Sequence, residues 1–348
     1  MKLPVVYILI LLTFFLFSCE YIQKRIDISS IKDLKQELFT EFQPGDPMEL
    51  MLLLDSLDLE EDTKPLFIEK INIRKRKKWR LNDEFDDTLV EEIITFPSLL
   101  SKYIPGDSAR FYTYRISDYK KSKTILWVPG FGVSDKAFYF IKKLFIEELK
   151  HGYNVVVYIP PYHLERKLKN KNDGDGFFSS NMQKNLIINF EELREIRTIN
   201  QFLINQGVEE ISAWGGSMGA STLLLSTKFN TYNHITLMIP LIDWREAVFS
   251  NQIFNPFVDS LASSGFDSLL IAKVLGKISP VTYNIPIKPD KIFIQYAKYD
   301  QLSSEFVIQK FTQRNNITNV KSYKTSHATI LLSRKLYKDY AAFLESTN

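Results

Sequence analysis

The sequence predicts an α/β protein in which a mostly parallel sheet of eight strands carries helices on both faces. From about Thr88 onward, short β-rich runs alternate with helical runs, the pattern of strand–helix–strand units. The 348 residues are 45% hydrophobic and 14% aromatic, which is enough for a large core and excludes a disordered chain. The net charge of +3 is too small to indicate a nucleic-acid partner.

The first 18 residues have the features of an export signal. Lys2 precedes an apolar run over residues 3–17 that would be roughly 22 Å long as a helix, shorter than the hydrocarbon core of a bilayer. Residues 16–19, Leu-Phe-Ser-Cys, resemble a bacterial lipobox, with Phe17 in place of the usual small residue. This resemblance implies lipidation of Cys19, so we expect an exported, membrane-anchored lipoprotein facing the periplasm or the cell surface. An uncleaved N-terminal anchor is the alternative.

Residues 19–87 are predicted to form a small N-terminal helical arm. Apolar residues recur at helical spacing after Ser29 and Ser30, and a second apolar stretch follows Pro47. The basic run at 74–80 could contact lipid headgroups or nucleic acid. Because acidic residues follow it, a solvated helix end is the favoured interpretation. No chemistry is assigned to the arm.

Residues 88–348 contain the predicted sheet and its helices. The eight strands are expected at 92–97, 110–116, 124–128, 154–159, 210–214, 235–240, 291–297 and 320–324. Helices are expected at 136–150, 191–207, 220–228, 304–315 and 330–344.

Two connections between these elements are long. Residues 162–190 include a polar run at 169–176 that lacks the ligand pattern of a calcium loop, so an exposed loop is expected. Residues 244–289 are rich in Phe, Leu and Ile at helical spacing, which predicts a helical lid insertion between two late strands.

The strongest local motif lies at residues 211–221, where a predicted strand turns into a helix through the sequence G-x-S-x-G. Ser217 stands at its centre between Gly215 and Gly219. A turn that raises a serine hydroxyl above a sheet edge strains its backbone, and the glycines leave space for neighbouring strand and helix atoms. The pattern is typical of a nucleophilic serine.

This motif resembles the nucleophile elbow of the α/β-hydrolase superfamily of serine hydrolases, and the resemblance covers residues 88–344. It implies the α/β-hydrolase fold and a chain order of nucleophile, acid and base. Asp300 follows the strand that resembles the seventh of the family, and His327 follows the eighth. Asp243, after the preceding strand, is the alternative acid.

The resemblance also implies the roles of these residues. His327 would take the proton of Ser217, and Asp300 would orient His327 and stabilise its cation. The oxyanion hole would use the amides of Met218 and Phe131. The loop that holds Phe131 keeps Gly130 but lacks the histidine that many family members have before it. A dinucleotide fingerprint is excluded there, because Asp135 occupies the place of its third glycine.

The run Pro161-Tyr162-His163 follows the fourth predicted strand and is similar to one in a little-characterised branch of the superfamily. Its position borders the same sheet edge as the elbow. Two roles remain open for His163, which are contact with the substrate and bracing of the loop.

The predicted function is a carboxylic ester hydrolase that works through an acyl-Ser217 intermediate, like an esterase or a lipase. It requires no metal and no organic cofactor. The partners expected are a small-molecule or lipid acyl ester and, through the lipid anchor, a membrane, but no nucleic acid. Acyl transfer by the same triad is one alternative, and a non-catalytic, surface-anchored binding protein is another.

Overall fold

The computed structural model describes residues 20–40, 42–68, 72–75 and 89–347. The predicted signal peptide and Cys19 lie outside these residues. Within the described part, one sheet of nine strands is present. The strands are β1 (Asn72–Lys75), β2 (Val90–Pro97), β3 (Ser108–Arg115), β4 (Thr124–Val128), β5 (Asn154–Ile159), β6 (Ile211–Gly216), β7 (Ile235–Met238), β8 (Ile292–Ala297) and β9 (Val320–Tyr323).

All eight predicted strands are present, and strand β1 adds a ninth at the sheet edge. The prediction of eight strands was therefore short by one. Arg74 and Lys75, at the start of the basic run, belong to β1 and pair with Ile93 and Glu92 of β2. For these two residues the pairing contradicts the expected helix end, because a partner strand supplied hydrogen bonds that local sequence reasoning could not foresee. Residues 76–80 of the run lie outside the described residues.

The order of the strands in the sheet is β1-β2-β3-β5-β4-β6-β7-β8-β9. The pairs among β1, β2, β3 and β5 are antiparallel, and the remaining five pairs are parallel. Strands β4 to β8 are buried along their whole length, because helices cover both faces of a parallel sheet. The carboxyl ends of these strands therefore form one common edge.

The helices pack on both faces of the sheet. They are α1 (Glu20–Thr40), α2 (Pro47–Ser56), α3 (Asp135–Lys150), α4 (Met182–Asn205), α5 (Met218–Ser226), α6 (Trp244–Phe249), α7 (Asn255–Ser263), α8 (Ser268–Lys277), α9 (Glu305–Arg314) and α10 (Arg334–Thr347). Buried side chains of α4, α5 and α9 share one core cluster with the sheet, and those of α3 and α10 share the other. None of the helices in the described ranges is both long and apolar enough to cross a bilayer.

A third apolar cluster lies beyond the two core layers. It joins α1 and α2 of the N-terminal arm, the start of α4, and the helices α6 to α8 of the 244–289 insertion. The insertion leaves the sheet after β7 and returns at β8, so it begins at the carboxyl edge. The arm and the insertion are thus packed together next to the edge where a site would form.

The connection at 162–190 is more ordered than the exposed loop that the sequence predicts. Phe177 is fully buried within it, and helix α4 begins at Met182 rather than at Glu191. The side chain of Asn181 caps this helix by accepting from the amide of Lys184 at 2.9 Å. The polar run gives no local sign of this early helix start, because the apolar contacts that stabilise the first turns of α4 come from distant parts of the chain.

Candidate active site

Ser217 lies at the sharp turn between strand β6 and helix α5, at the carboxyl edge of the sheet. Its backbone has a φ of 51° and a ψ of −119°, a conformation that costs free energy in a non-glycine residue. The Ser217 amide donates to the carbonyl of Met238 on the neighbouring strand at 2.8 Å, which holds the turn in place. The strain predicted for the G-x-S-x-G turn is therefore present.

The flanking glycines are required by close packing. A Cβ on Gly219 would lie 2.1 Å from the carbonyl oxygen of Val128, and one on Gly215 would lie 2.6 Å from the Cα of Ala220. Both distances are far below any real carbon contact. The elbow can approach the β4 loop and its own helix this closely only because these two side chains are absent.

The three side chains proposed as a triad form one hydrogen-bonded chain. Ser217 Oγ lies 2.8 Å from His327 Nε2, and His327 Nδ1 lies 2.7 Å from Asp300 Oδ2. A carboxylate only accepts, so Nδ1 donates to Asp300 and Nε2 is free to accept the serine proton. The other oxygen of Asp300 accepts from the amides of Leu302 and Ser303, each at 2.8 Å. The arrangement can move a proton from the serine to the imidazole.

The environment of His327 favours its protonated form. Burial lowers the pKa of His327, but the attraction of Asp300, the hydrogen bond to Asp300 and the charge of Asp27 together outweigh it. The pKa of His327 therefore lies above its ordinary value. The side chain keeps 17% of its surface exposed at the edge of the site.

The candidate oxyanion hole lies between the elbow and the β4 loop. Met218 opens helix α5, so its amide has no partner within the helix. A Cβ on Gly130 would lie 3.0 Å from the Cβ of Ser217, which brings the loop that carries Phe131 directly against the nucleophile. The Met218 amide and the loop that carries Phe131 are thus next to Ser217.

His163 supports this loop from behind. Its Nε2 accepts from the amide of Gly132 at 2.8 Å, and its Nδ1 donates to the carbonyl of Pro161 at 2.7 Å. Burial lowers the pKa of His163 to about 4, so the ring is neutral in this role. The ring is fully buried with both nitrogens engaged. These contacts favour the bracing role over contact with a substrate.

Asp243, the alternative acid, is engaged elsewhere. Its side chain caps helix α6 by accepting from the amide of Arg245 at 3.0 Å, and it also pairs with the Arg245 guanidinium at 3.1 Å. Among the described residues, no group of three His, Cys, Asp or Glu side chains is arranged to hold a metal ion.

Sequence reasoning missed two residues that reach the triad loops. Asp27 and Gln23 of helix α1 accept hydrogen bonds from backbone amides beside His327. They lie about 300 positions away in the chain, and no local motif marks them. Gln23, Asp27 and Ile31 follow each other at intervals of four residues. This spacing is the one signal in the sequence that could have indicated that they share a buried face of the helix.

An apolar cavity of about 80 Å³ lies between the 244–289 insertion and helix α4. Its walls include Phe178, Trp244, Phe257 and Leu275, and Asn185 and Asn189 are its polar residues. Phe178 contacts the ring of Phe131 at 5.2 Å between centroids, so the cavity adjoins the candidate oxyanion loop.

Neither a protein-family model nor a curated protein sequence matches this chain. Many solved structures are similar to it in fold. The acylaminoacyl peptidase of Pyrococcus horikoshii superposes with a TM-score of 0.52 at 14% identity, over 74% of this chain and 41% of that one. This chain therefore spans about two fifths of that peptidase.

Two esterases are similar over most of their own length. A cold-adapted esterase from an Arctic intertidal metagenomic library has a TM-score of 0.50 at 10% identity, over 80% of this chain and 97% of that one. An esterase of Pyrococcus furiosus has a TM-score of 0.50 at 14% identity, over 82% and 96%. Together with the sheet order and the elbow, these likenesses show that the chain has the α/β-hydrolase fold.

Proposed function

We propose that this protein is a serine hydrolase, most simply a carboxylic ester hydrolase that forms an acyl-Ser217 intermediate. The observation that carries the proposal is the hydrogen-bonded chain Ser217–His327–Asp300 at the carboxyl edge of the sheet. A serine hydroxyl is scarcely ionised at neutral pH, so it needs a base in direct contact, and His327 Nε2 meets that need.

The reaction follows from the positions of these groups. Ser217 Oγ attacks the acyl carbon while its proton passes to His327 Nε2, and Asp300 stabilises the resulting imidazolium. The negative charge that develops on the carbonyl oxygen is stabilised by the amides of Met218 and Phe131. His327 then donates the proton to the departing alcohol. Water, deprotonated by His327, releases the acid and restores Ser217.

The substrate proposed is an ester with a short apolar acyl group. The proposal is supported by the cavity whose wall includes Phe178, the neighbour of Phe131, because its lining is almost entirely apolar and its volume of about 80 Å³ leaves room for a short acyl chain. We expect p-nitrophenyl butyrate to be cleaved with a higher kcat/KM than the laurate ester. A preference for laurate would contradict this substrate assignment.

A fluorophosphonate probe tests the nucleophile. Wild-type protein should be labelled, and Ser217→Ala should not be labelled and should lose ester turnover by about 10⁴-fold or more. Ser226→Ala, a buried serine at the far end of the same helix, is the matched control and should retain labelling. Equal labelling of Ser217→Ala would overturn the assignment. Ester synthesis with an added alcohol would indicate acyl transfer instead.

We also propose that the protein is exported and held at a membrane by acylation of Cys19. Helix α1 begins at Glu20, the next residue, and Asp27 lies about 10 Å further along this helix. An acyl chain there would hold the triad close to the bilayer surface. Cys19→Ser should move the protein from the membrane fraction to the soluble one. Retention in the membrane fraction would support the uncleaved anchor instead.

A further inference from the structure

Helix α1 of the N-terminal arm buries one stripe of side chains against the catalytic domain. Gln23, Asp27 and Ile31 follow each other at intervals of four residues and are 2%, 1% and 3% exposed. Ile31 packs in the third apolar cluster, but the other two residues of the stripe are polar. Burial of a carboxylate and an amide is unfavourable unless each finds hydrogen-bond partners.

Asp27 finds its partners on both loops of the candidate triad. Its Oδ2 accepts from the amide of His327 at 3.0 Å and from the amide of Gln301 at 3.1 Å. Its Oδ1 accepts from the amide of Ala328 at 3.0 Å. One carboxylate therefore ties the residue after Asp300 to the backbone of His327 itself.

Gln23 holds the histidine loop one turn earlier on the same helix. Its Oε1 accepts from the amide of Ser326 at 3.1 Å and from the hydroxyl of Thr329. The backbone of three successive residues, 326–328, thus donates to side chains of α1. These loops follow β8 and β9, and backbone hydrogen bonds join them from Lys298 to Tyr323 at 2.8 Å and from Tyr299 to Thr325 at 3.0 Å. The side chains of α1 add contacts further along both loops, at the residues that flank Asp300 and His327.

The charge of Asp27 also acts on His327. Burial raises the pKa of Asp27 above its ordinary value, and the charge of Asp300 raises it further, while the charge of His327 and the hydrogen bonds from the amides of Ala328 and His327 lower it. Asp300 and Asp27 both favour the imidazolium, which contributes to the raised pKa of His327. Glu246 of helix α6 is a further acid whose charge interacts with that of Asp300.

We propose that Asp27 is a positioning residue for the hydrolase, so that helix α1 of the arm completes the active site. Its carboxylate keeps the acid loop and the histidine loop at the spacing at which Ser217, His327 and Asp300 share hydrogen bonds. The proposal rests on the function proposed above. Small displacements of a positioned base are costly to catalysis, which gives this contact its effect on turnover.

The test compares Asp27→Asn and Asp27→Ala with Glu20→Gln, which removes an exposed carboxylate from the same helix. Asp27→Asn keeps the shape and one acceptor, and should lower kcat about tenfold with KM within about twofold. Asp27→Ala removes the acceptor of the Gln301, His327 and Ala328 amides and should lower kcat about a hundredfold. Glu20→Gln should match the wild type in both constants.

Two further measurements separate positioning from general stability. The acid limb of the kcat/KM profile should move to lower pH in Asp27→Asn, because His327 loses a stabilising negative charge, and should not move in Glu20→Gln. Amide hydrogen exchange at residues 326–329 should be faster in Asp27→Asn while the melting temperature changes little. If Asp27→Ala does not fold, Asp27→Asn carries the test.

The outcomes distinguish the two proposals. A wild-type protein that does not react with the fluorophosphonate at Ser217 overturns the proposed function and this inference with it. A reactive wild type whose Asp27→Asn variant keeps its kcat and its acid limb overturns the positioning role alone. The same conclusion follows if kcat falls only in proportion to the folded fraction.

Discussion

Two buried clusters of this protein each contain two carboxyl groups and one basic residue. The basic residue is an arginine in the first cluster and a histidine in the second. In the first, Arg166 binds Asp107 at 2.6 Å and Glu195 at 2.6 Å, and all three side chains are at most 1% exposed. In the second, His327 binds Asp300 at 2.7 Å, and Asp27 accepts from its backbone.

The comparison distinguishes a permanently charged group, which stabilises the structure, from a titratable group, which can transfer a proton. The guanidinium stays charged at every accessible pH and uses a rigid set of donors, and its neighbours raise the pKa of Arg166 further. An imidazole, unlike a guanidinium, can gain and lose a proton at accessible pH, and Nε2 of His327 lies 2.8 Å from the Ser217 hydroxyl. Similar acids therefore hold a loop in the first cluster and, under the proposed function, orient a base in the second.

The largest effect expected from this comparison is on turnover in the second cluster. Asp300→Asn should lower kcat about 10⁴-fold, because an amide holds the imidazole in the wrong tautomer, while the free energy of unfolding changes little. Asp243→Asn, a helix-capping aspartate outside the triad, is the matched control and should keep kcat within about twofold. Steady-state kinetics and urea unfolding check both statements. An active Asp300→Asn variant would show that Asp300 is not the acid of the proposed triad.

The first cluster should respond in stability. Arg166→Met leaves Asp107 and Glu195 buried without their cation and should lower the free energy of unfolding by about 3–5 kcal/mol. Lys167→Met removes the partly exposed pair with Asp173 at 3.4 Å and should cost at most about 1 kcal/mol. Urea unfolding measures both. Equal losses of unfolding free energy in the two variants would show that the buried ion pairs contribute no more to stability than the partly exposed one.

His163 connects the two clusters, since it precedes Arg166 in the same loop and braces Gly132. His163→Phe leaves the Gly132 amide without its acceptor and should cost about 1–3 kcal/mol of stability. The wild-type kcat/KM should fall as the pH decreases through the raised pKa of His327, and this limb should persist in His163→Phe. A pH–rate profile checks this. Loss of the limb would make His163 the titrating base.

A pH-dependent effect concerns a buried carboxyl group that has neither an arginine nor a histidine beside it. Trp127 Nε1 donates to Glu148 at 2.6 Å, and burial raises the pKa of Glu148 to about 8. The folded protein then binds a proton that the unfolded chain releases between pH 4.5 and 8, so stability decreases as the pH rises through that interval. Glu148→Gln should reduce the slope by at most about 1.4 kcal/mol per pH unit. Unfolding at pH 5 and 8 measures it, and an unchanged slope would contradict the raised pKa.

Local sequence patterns predicted eight of the nine strands in the described residues and the alternation of strands with helices. The G-x-S-x-G turn indicated Ser217, the resemblance to the α/β-hydrolase superfamily implied Asp300 and His327 as its partners, and the structure brings the three side chains into hydrogen-bond contact. These residues follow strand ends, and parallel strands bring their carboxyl ends to one edge. The strand β1 and the early start of helix α4 escaped prediction, because their stability comes from distant partners.

What the sequence determined by itself is the alternation of strands and helices and the chemical types at the strand ends, since both depend on neighbours in the chain. The tertiary structure alone decided that Asp27 reaches the histidine loop, that His163 braces Gly132, and that Asp243 caps a helix. Each of these outcomes depends on which buried polar atom meets which amide. That pairing is set when helices and loops from remote positions pack together and exclude water.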